Sequence, residues 1–254
     1  MTAPPGQWVA GIHAVKALLK HGAAGVEGVW FDARRKDRRL AELLRSVAAL
    51  GVAQHPSERA ELDRLSGGAN HQGVLARAAM PAGTAETQLP ELLAAIDGPP
   101  LVLVLDGVQD PHNLGACLRS ADGAGAHLVI APRDRSVGLT PTACKVACGA
   151  AETVPLVQVT NLARTLRWLQ DEAGLWLIGT SDAATETLYD ADLTGPLALV
   201  MGAEDKGLRR LTAEQCDQRV RLPMAGTVES LNVSVATGIA LYEAVRQRRE
   251  ASRT

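Results

Sequence analysis

Three segments of the chain carry residues whose types and spacing could do chemistry on a polar, nucleotide-like substrate. In the first, residues 105–125, an apolar strand runs into Asp110-Pro111 and then a helix opening near His112 or Asn113. Asn113 falls where a helix N-terminus offers free N–H groups. Arg119 follows six residues later, among Leu, Ala and Gly. A guanidinium there is costly to bury without a partner or a task. Position alone favours Asn113 as a simple cap and Arg119 in water. In the second segment, 197–207, an apolar strand ends in Gly202-Ala203-Glu204, with Gly207 closing the loop. A glycine there lets a ligand approach the backbone, and Glu204 would project beside it. A branched side chain at 202 should then block the ligand and spare the fold. An ordinary strand-to-helix turn would look the same. In the third, 220–245, a strand runs into Pro223-Met224-Ala225-Gly226, and Ser230-Leu231-Asn232 opens a long helix of small residues. Ser230, Asn232 and Ser234 could set several donors around one hydroxyl. N-capping by Ser230 explains part of that polarity.

These loops need a frame that brings them together. Apolar runs predict strands at 101–106, 127–131, 154–158, 175–180, 197–202 and 219–222, and helices at 112–124, 141–150, 161–173 and 230–249. Strands alternating with helices argue for a mostly parallel sheet covered on both faces. Ligands of such sheets sit beyond the C-terminal strand ends. Upstream, residues 11–22 read as a helix ending in glycine. Residues 26–33, 51–56 and 72–78 read as strands, and 40–50 and 58–65 as helices. This is a smaller α/β unit over residues 1–79. Residues 80–97, with a proline-bounded, aperiodic stretch, read as a linker to a domain over 98–254.

Composition narrows the classes. Apolar residues make up 46% and aromatics 3%, so the core must be built from Ala, Val, Leu and Gly. The N-terminus lacks the pattern of a secretory signal. No apolar run reaches the roughly 18 residues of a membrane span. A cytoplasmic location and no membrane partner are expected. Cys117, Cys144, Cys148 and Cys216 form no CxxC pair, so reduced thiols are expected rather than a metal site. Residues 1–80 hold 11 Lys and Arg against 7 Asp and Glu, a net of +4, whereas 81–254 hold 15 against 21, a net of −6. The basic part suits a polyanion, and within it Arg34, Arg35, Lys36, Arg38 and Arg39 are the first candidates for phosphate contact. A solvated turn is the alternative for each. Neither a GxGxxG nor a P-loop follows any strand.

Taken in order, the three segments resemble the SPOUT superfamily, and within it the SpoU-type RNA ribose 2′-O-methyltransferases. The resemblance rests on Asn113-Leu114-Gly115 with Arg119-Ser120-Ala121, Gly202-Ala203-Glu204 with Gly207, and Ser230-Leu231-Asn232-Val233-Ser234-Val235-Ala236. Gly11-Ile12-His13-Ala14-Val15, His71-Gln72-Gly73 and residues 145–152 look like the bacterial members that methylate a guanosine in 23S ribosomal RNA, in its peptidyl-transferase region. Asp205-Lys206 and Glu229 depart from those members at the mouth of the site.

The resemblance implies an α/β domain with a C-terminal trefoil knot, a homodimer, and S-adenosyl-L-methionine as methyl donor. It implies a ribosomal-protein-like N-terminal domain that binds RNA. Met201, Gly202, Leu222, Met224, Gly226 and Leu231 would hold the donor. Asn113, Arg119, Glu204, Ser230 and Asn232 would serve the reaction. Arg119 would stabilise charge on the 2′-oxygen, because free guanidinium has a pKa above ~12 and makes a poor base. Glu204 is the alternative base. A transfer-RNA methyltransferase of the same family and a non-catalytic RNA-binding protein remain as rival readings.

Overall fold

A computed structural model describes residues 6–22, 25–78, 83–203 and 207–253. The chain divides into two compact units, Met1–Ala82 and Gly83–Thr254.

The first unit is a four-stranded sheet in the order β1-β4-β2-β3, from β1 (Gln7–Ala10), β2 (Val26–Asp32), β3 (Gln54–Ser57) and β4 (Val74–Ala78). Its helices are α1 (Ile12–Gly22), α2 (Arg38–Ala49) and α3 (Arg59–Leu65). The Asp37 carboxylate caps α2 by accepting from the Leu40 amide, and that bond lowers its pKa. Leu40, Leu43 and Val47 recur at helical spacing and are buried. They join Val15, Leu18 and Leu19 of α1 over Val29, Val74 and Ala76 of the sheet. Strand β1, absent from the expectations above, is only four residues long. Arg34, Lys36, Arg38 and Arg39 are exposed where β2 turns into α2. Arg34 and Arg38 pair with Glu58 and Glu42. Arg35 differs: it is half-buried, bonded to Asp37 and to the Gln72 carbonyl. It ties two turns together.

The second unit is an eight-stranded, wholly parallel sheet in the order β10-β12-β9-β11-β6-β7-β8-β5. Its central strands are β6 (Leu101–Asp106), β7 (Leu128–Pro132), β8 (Leu156–Val159), β9 (Trp176–Thr180), β11 (Leu197–Gly202) and β12 (Gln218–Arg221). The edges are two residues each, β5 (Thr84–Ala85) and β10 (Glu186–Thr187). Strand β6 is buried at all six positions because both faces are covered. Leu101, Leu103 and Leu105 join one core cluster, with residues of α5 (Pro111–Gly123), α6 (Pro141–Ala147), α7 (Ala150–Thr153) and α10 (Val233–Ala251). Val102 and Val104 join the other, with α4 (Leu89–Ala94) and α8 (Leu162–Asp171). A short α9 (Arg210–Ala213) precedes β12. Burial pushes the thiols of Cys144 and Cys216 up, to about 11 and about 12.

Two expectations need correction. Residues 84–94, read as linker, form β5, a 3-10 turn and α4, and they belong to the second unit. The Glu86 carboxylate accepts from the Thr160 amide and hydroxyl at 3.0 Å each, which holds its pKa down. Elements of two and six residues are too short to show a period. The helix expected over 141–150 is broken, because Cys148 and Gly149 both take left-handed backbone (φ 54 and 102).

The last turns of α10 are locked by Arg248, which donates to the carbonyls of Leu193, Pro99, Pro100 and Gly195. Burial among these acceptors lowers its pKa. Arg248→Met keeps the apolar stem and loses the charge-assisted bonds. It should cost on the order of 2 kcal/mol in urea unfolding, with the slope unchanged.

Candidate functional site

The carboxyl ends of β9, β11 and β12 open into a cleft of about 470 Å³. A depression of about 550 Å³ lies elsewhere on this unit, and one of about 850 Å³ adjoins the cleft, sharing Ala183, Ala213 and Arg219 with it. Position decides between them, because parallel sheets bind ligands beyond their carboxyl ends. Strand β11 delivers Met201 and Gly202 to the cleft, and the chain after β12 delivers Leu222 and Met224. Ser230, Leu231, Val233 and Ala236 form a further wall. Gly226 does not line the cleft and is exposed.

The wall containing Ser230 is positioned by asparagines. Asp110, not Asn113, caps α5, by accepting from the His112 amide at 2.8 Å. Asn113 is instead buried in the first turn, where its Oδ1 accepts from Asn232 Nδ2 at 3.0 Å. Asn232, rather than Ser230, caps α10, by accepting from the Ser234 amide at 2.9 Å and its hydroxyl at 2.6 Å. The helix therefore starts at Val233, and Ser230 and Leu231 stay in the extended chain that faces the cleft. One amide–amide bond thus joins the first and third segments. Deeper in, the Cys117 thiol contacts the buried Thr237 hydroxyl at 3.6 Å.

The second segment is shaped by a close crossing. Ala203 and Gly207 exchange backbone bonds at 3.2 and 2.9 Å. A Cβ at Gly202 would lie 2.2 Å from the Gly207 carbonyl carbon and 2.4 Å from the Leu208 nitrogen. Glycine is required here by the protein's own backbone, so a larger residue at 202 cannot spare the fold. Asp106, buried at the end of β6, accepts from the Arg209 amide at 2.9 Å and its guanidinium at 2.5 Å. That ion pair pins the chain leaving the crossing to the neighbouring strand. Glu204, Asp205 and Lys206 lie outside the described residues.

Arg119 does not reach this cleft. It is exposed on α5, with Nη1 3.7 Å from the Cys148 sulfur. The structure therefore brings Ser230 to the cleft, holds Asn232 and Asn113 together beside that wall, and leaves Arg119 apart. Thr180, Ser181, Asp182, Arg219 and Arg221 also line the cleft and escaped the sequence reading. All but Arg219 sit at or just past the carboxyl ends of β9 and β12, where the strand-end rule could have found them. Among the described residues no group of three or more His, Cys, Asp or Glu could hold a metal, and no helix is long and apolar enough to cross a membrane.

The SpoU rRNA methylase family model matches residues 100–242, more than half of the chain. The chain belongs to the SpoU rRNA methylase family. A second model, for RNA 2′-O ribose methyltransferase substrate binding, matches residues 8–83. SpoU relatives include the 23S rRNA (guanosine-2′-O-)-methyltransferase of Ralstonia nicotianae, 59% identical over 94% of both chains. The Escherichia coli K12 protein of the same description is 55% identical over 95% of this chain and 99% of its own. Among solved SpoU structures, the methyltransferase AviRb of Streptomyces viridochromogenes in complex with AdoMet is 28% identical. It covers 96% of this chain and 91% of its own, with a TM-score of 0.78. The A. aeolicus TrmH/SpoU tRNA modifying enzyme covers 66% of this chain and 85% of its own, at 29% identity and a TM-score of 0.56.

Two substitutions test the site's construction. Gly202→Ala should destabilise the protein by about 1–3 kcal/mol, read as a lowered melting temperature, because the added methyl meets backbone. Asn232→Ala should cost about 0.5–2 kcal/mol through the lost cap. An unchanged melting temperature for Gly202→Ala would contradict the crossing.

Proposed function

We propose that the protein methylates the ribose 2′-hydroxyl of a guanosine in 23S ribosomal RNA, with S-adenosyl-L-methionine as the donor. The observation that carries this reading is the joining of the three family segments at one strand-end cleft. Relatives of that activity at 55–59% identity, matched over almost the whole chain, support the substrate. The tRNA modifying enzyme, matched over two thirds of the chain, supports a transfer-RNA substrate less well. Such an enzyme works in the cytoplasm.

The cleft's residues fit the donor. Met201, Leu222, Met224 and Leu231 offer an apolar wall for an adenosyl group. Asp182, Arg219 and Arg221 offer both signs of charge for a zwitterionic amino acid end. Gly202 and the adjoining loop backbone set its floor, and Gly226 belongs to the margin. Bound S-adenosylmethionine supplies an electrophilic methyl group on a sulfonium. The protein's part is to hold the ribose in line and favour negative charge on the 2′-oxygen. Asn113 and Asn232 orient the ribose side of the cleft, and Ser230 adds a hydroxyl beside them. Glu204 is the candidate for taking the proton. Arg119 binds the neighbouring phosphate and the developing alkoxide, with a planar fork that lysine lacks.

Arg119 stands outside the cleft of its own chain, so we read the working unit as a homodimer in which it serves the partner's site. The support is an exposed apolar stripe on and before α10: Leu231, Val235 and Tyr242 are 36%, 50% and 54% exposed. That helix packs along α5, with Ser120 beside Gly238 and Gly123 beside Tyr242. The family's trefoil knot is part of the same proposal. It accords with a chain that leaves β12 and returns to pack α10 on α5. The first unit is proposed as a ribosomal-protein-like RNA-binding domain. In it, exposed Arg34, Lys36, Arg38 and Arg39 meet phosphates, and Arg35 acts by fixing the turn.

Arg119→Ala and Arg119→Lys should each lower single-turnover methylation on the order of 100- to 1000-fold, with donor affinity unchanged. Mixing inactive Arg119→Ala protein with inactive Asn232→Ala protein should restore activity, since one site of each mixed dimer is then intact. No restoration in demonstrated mixed dimers would place Arg119 in its own chain's site. A fragment Gly83–Thr254 should bind donor and dimerise, yet methylate ribosomal RNA poorly. Full RNA activity from that fragment would refute the division of labour.

A further inference from the structure

The first unit's sheet has a second face, outside the cluster that α1 and α2 build. Val29, Val74, Ala76 and Ala78 point toward α1 and α2. By alternation, Trp30, Leu75 and Arg77 point the other way. Register places two rows across that second face. Trp8, Arg77 and Gly28 lie side by side on β1, β4 and β2, and Leu75, Trp30 and His55 lie side by side on β4, β2 and β3. The rings are already in contact. Trp8 meets Trp30 edge-on, with centroids 4.8 Å apart and an interplanar angle of 81°. Trp30 stacks on His55 at 4.2 Å and 21°. The Arg77 guanidinium lies over the Trp8 ring at 5.8 Å.

We propose that this face is a stacking platform for unpaired bases of the RNA substrate, an inference that rests on the RNA-modifying reading above. Four features carry it. The chain has only four tryptophans, and two of them sit here, half-buried and outside the unit's hydrophobic core. Leu75, in register with Trp30, is fully buried and anchors the row. Gly28 keeps the surface flat: a Cβ there would lie 2.8 Å from the His55 ring and 3.0 Å from the Trp30 ring. The substrate-binding family model spans all four side chains. Indole, imidazole and guanidinium planes are the groups on which splayed nucleobases stack. Arg77 is already paired with Glu27 at 3.0 Å, so the patch offers a phosphate little net charge. It therefore recognises base faces, which a duplex keeps stacked internally. The arginines at the start of α2 supply the phosphate contacts separately.

The test uses the full chain and a short single-stranded RNA carrying 2-aminopurine, with a blunt duplex of the same sequence as comparison. The single strand should quench and shift tryptophan emission, and the duplex should not. Trp30→Ala should weaken single-strand affinity about 5- to 150-fold. Trp30→Phe should recover most of the loss. The dependence of affinity on salt should keep its wild-type slope, since no phosphate contact is removed. In turnover, Trp30→Ala should raise KM for ribosomal RNA and leave kcat and donor affinity unchanged. Should Trp30→Ala fail to fold, His55→Ala on the edge strand carries the same test with a smaller loss. A folded Trp30→Ala or His55→Ala protein with wild-type single-strand affinity overturns the platform. So does a duplex that perturbs the tryptophans as strongly as the single strand. Wild-type protein that stacks the probe but transfers no methyl group would instead sink the methyltransferase reading and leave the platform standing.

Discussion

The catalytic unit depends on one crowded crossing, where the end of β11 passes against residues 207–208. Nothing larger than a hydrogen fits at Gly202. The buried Asp106 carboxylate then fixes Arg209 just beyond the crossing. A buried charge left without its partner is strongly unfavourable, so this pairing dictates where the chain goes next. From there α9 and β12 follow, β12 pairs with β9, and the cleft opens between them. The donor-binding reading, the placement of Asn232 and the packing of α10 on α5 all presuppose that path.

Much of the sheet was legible in the sequence because strands buried on both faces are short, uniform apolar runs. The runs at 101–106 and 197–202 coincide with β6 and β11. The N-terminal basic excess likewise falls on a unit with its own sheet and core. What the sequence hid were elements too short for periodicity, such as β5, β10 and α9, and a break at Cys148 that needs left-handed backbone. Parallel order was implied by alternation, but the neighbour relations of β9, β11 and β12 are long-range and leave no local signal.

The candidate site was legible as segments rather than as contacts. Residue type picked out Asn113 and Asn232, but the caps fall on other residues than expected: Asp110 rather than Asn113 caps α5, and Asn232 rather than Ser230 caps α10. Local spacing cannot tell a cap from the residue three places along, because both sit in the same turn. Gly202 was singled out as a ligand contact; it does line the cleft, and the backbone five residues further on also demands a glycine there. Arg119 lies on the helix of the first segment but outside this cleft, a placement that spacing along the sequence could not give.

The makeup of the cleft also sets a timetable. Every strand of the larger sheet is complete by Arg221, yet one wall of the cleft and its bond to Asn113 come from residues 230–236. Arg248 then fastens the far end of that helix to the loops before β6 and β11. During synthesis the chain must extend through residue 236 before the cleft has all its walls. A chain ending near residue 225 would contain every strand of that sheet and lack one wall of the cleft.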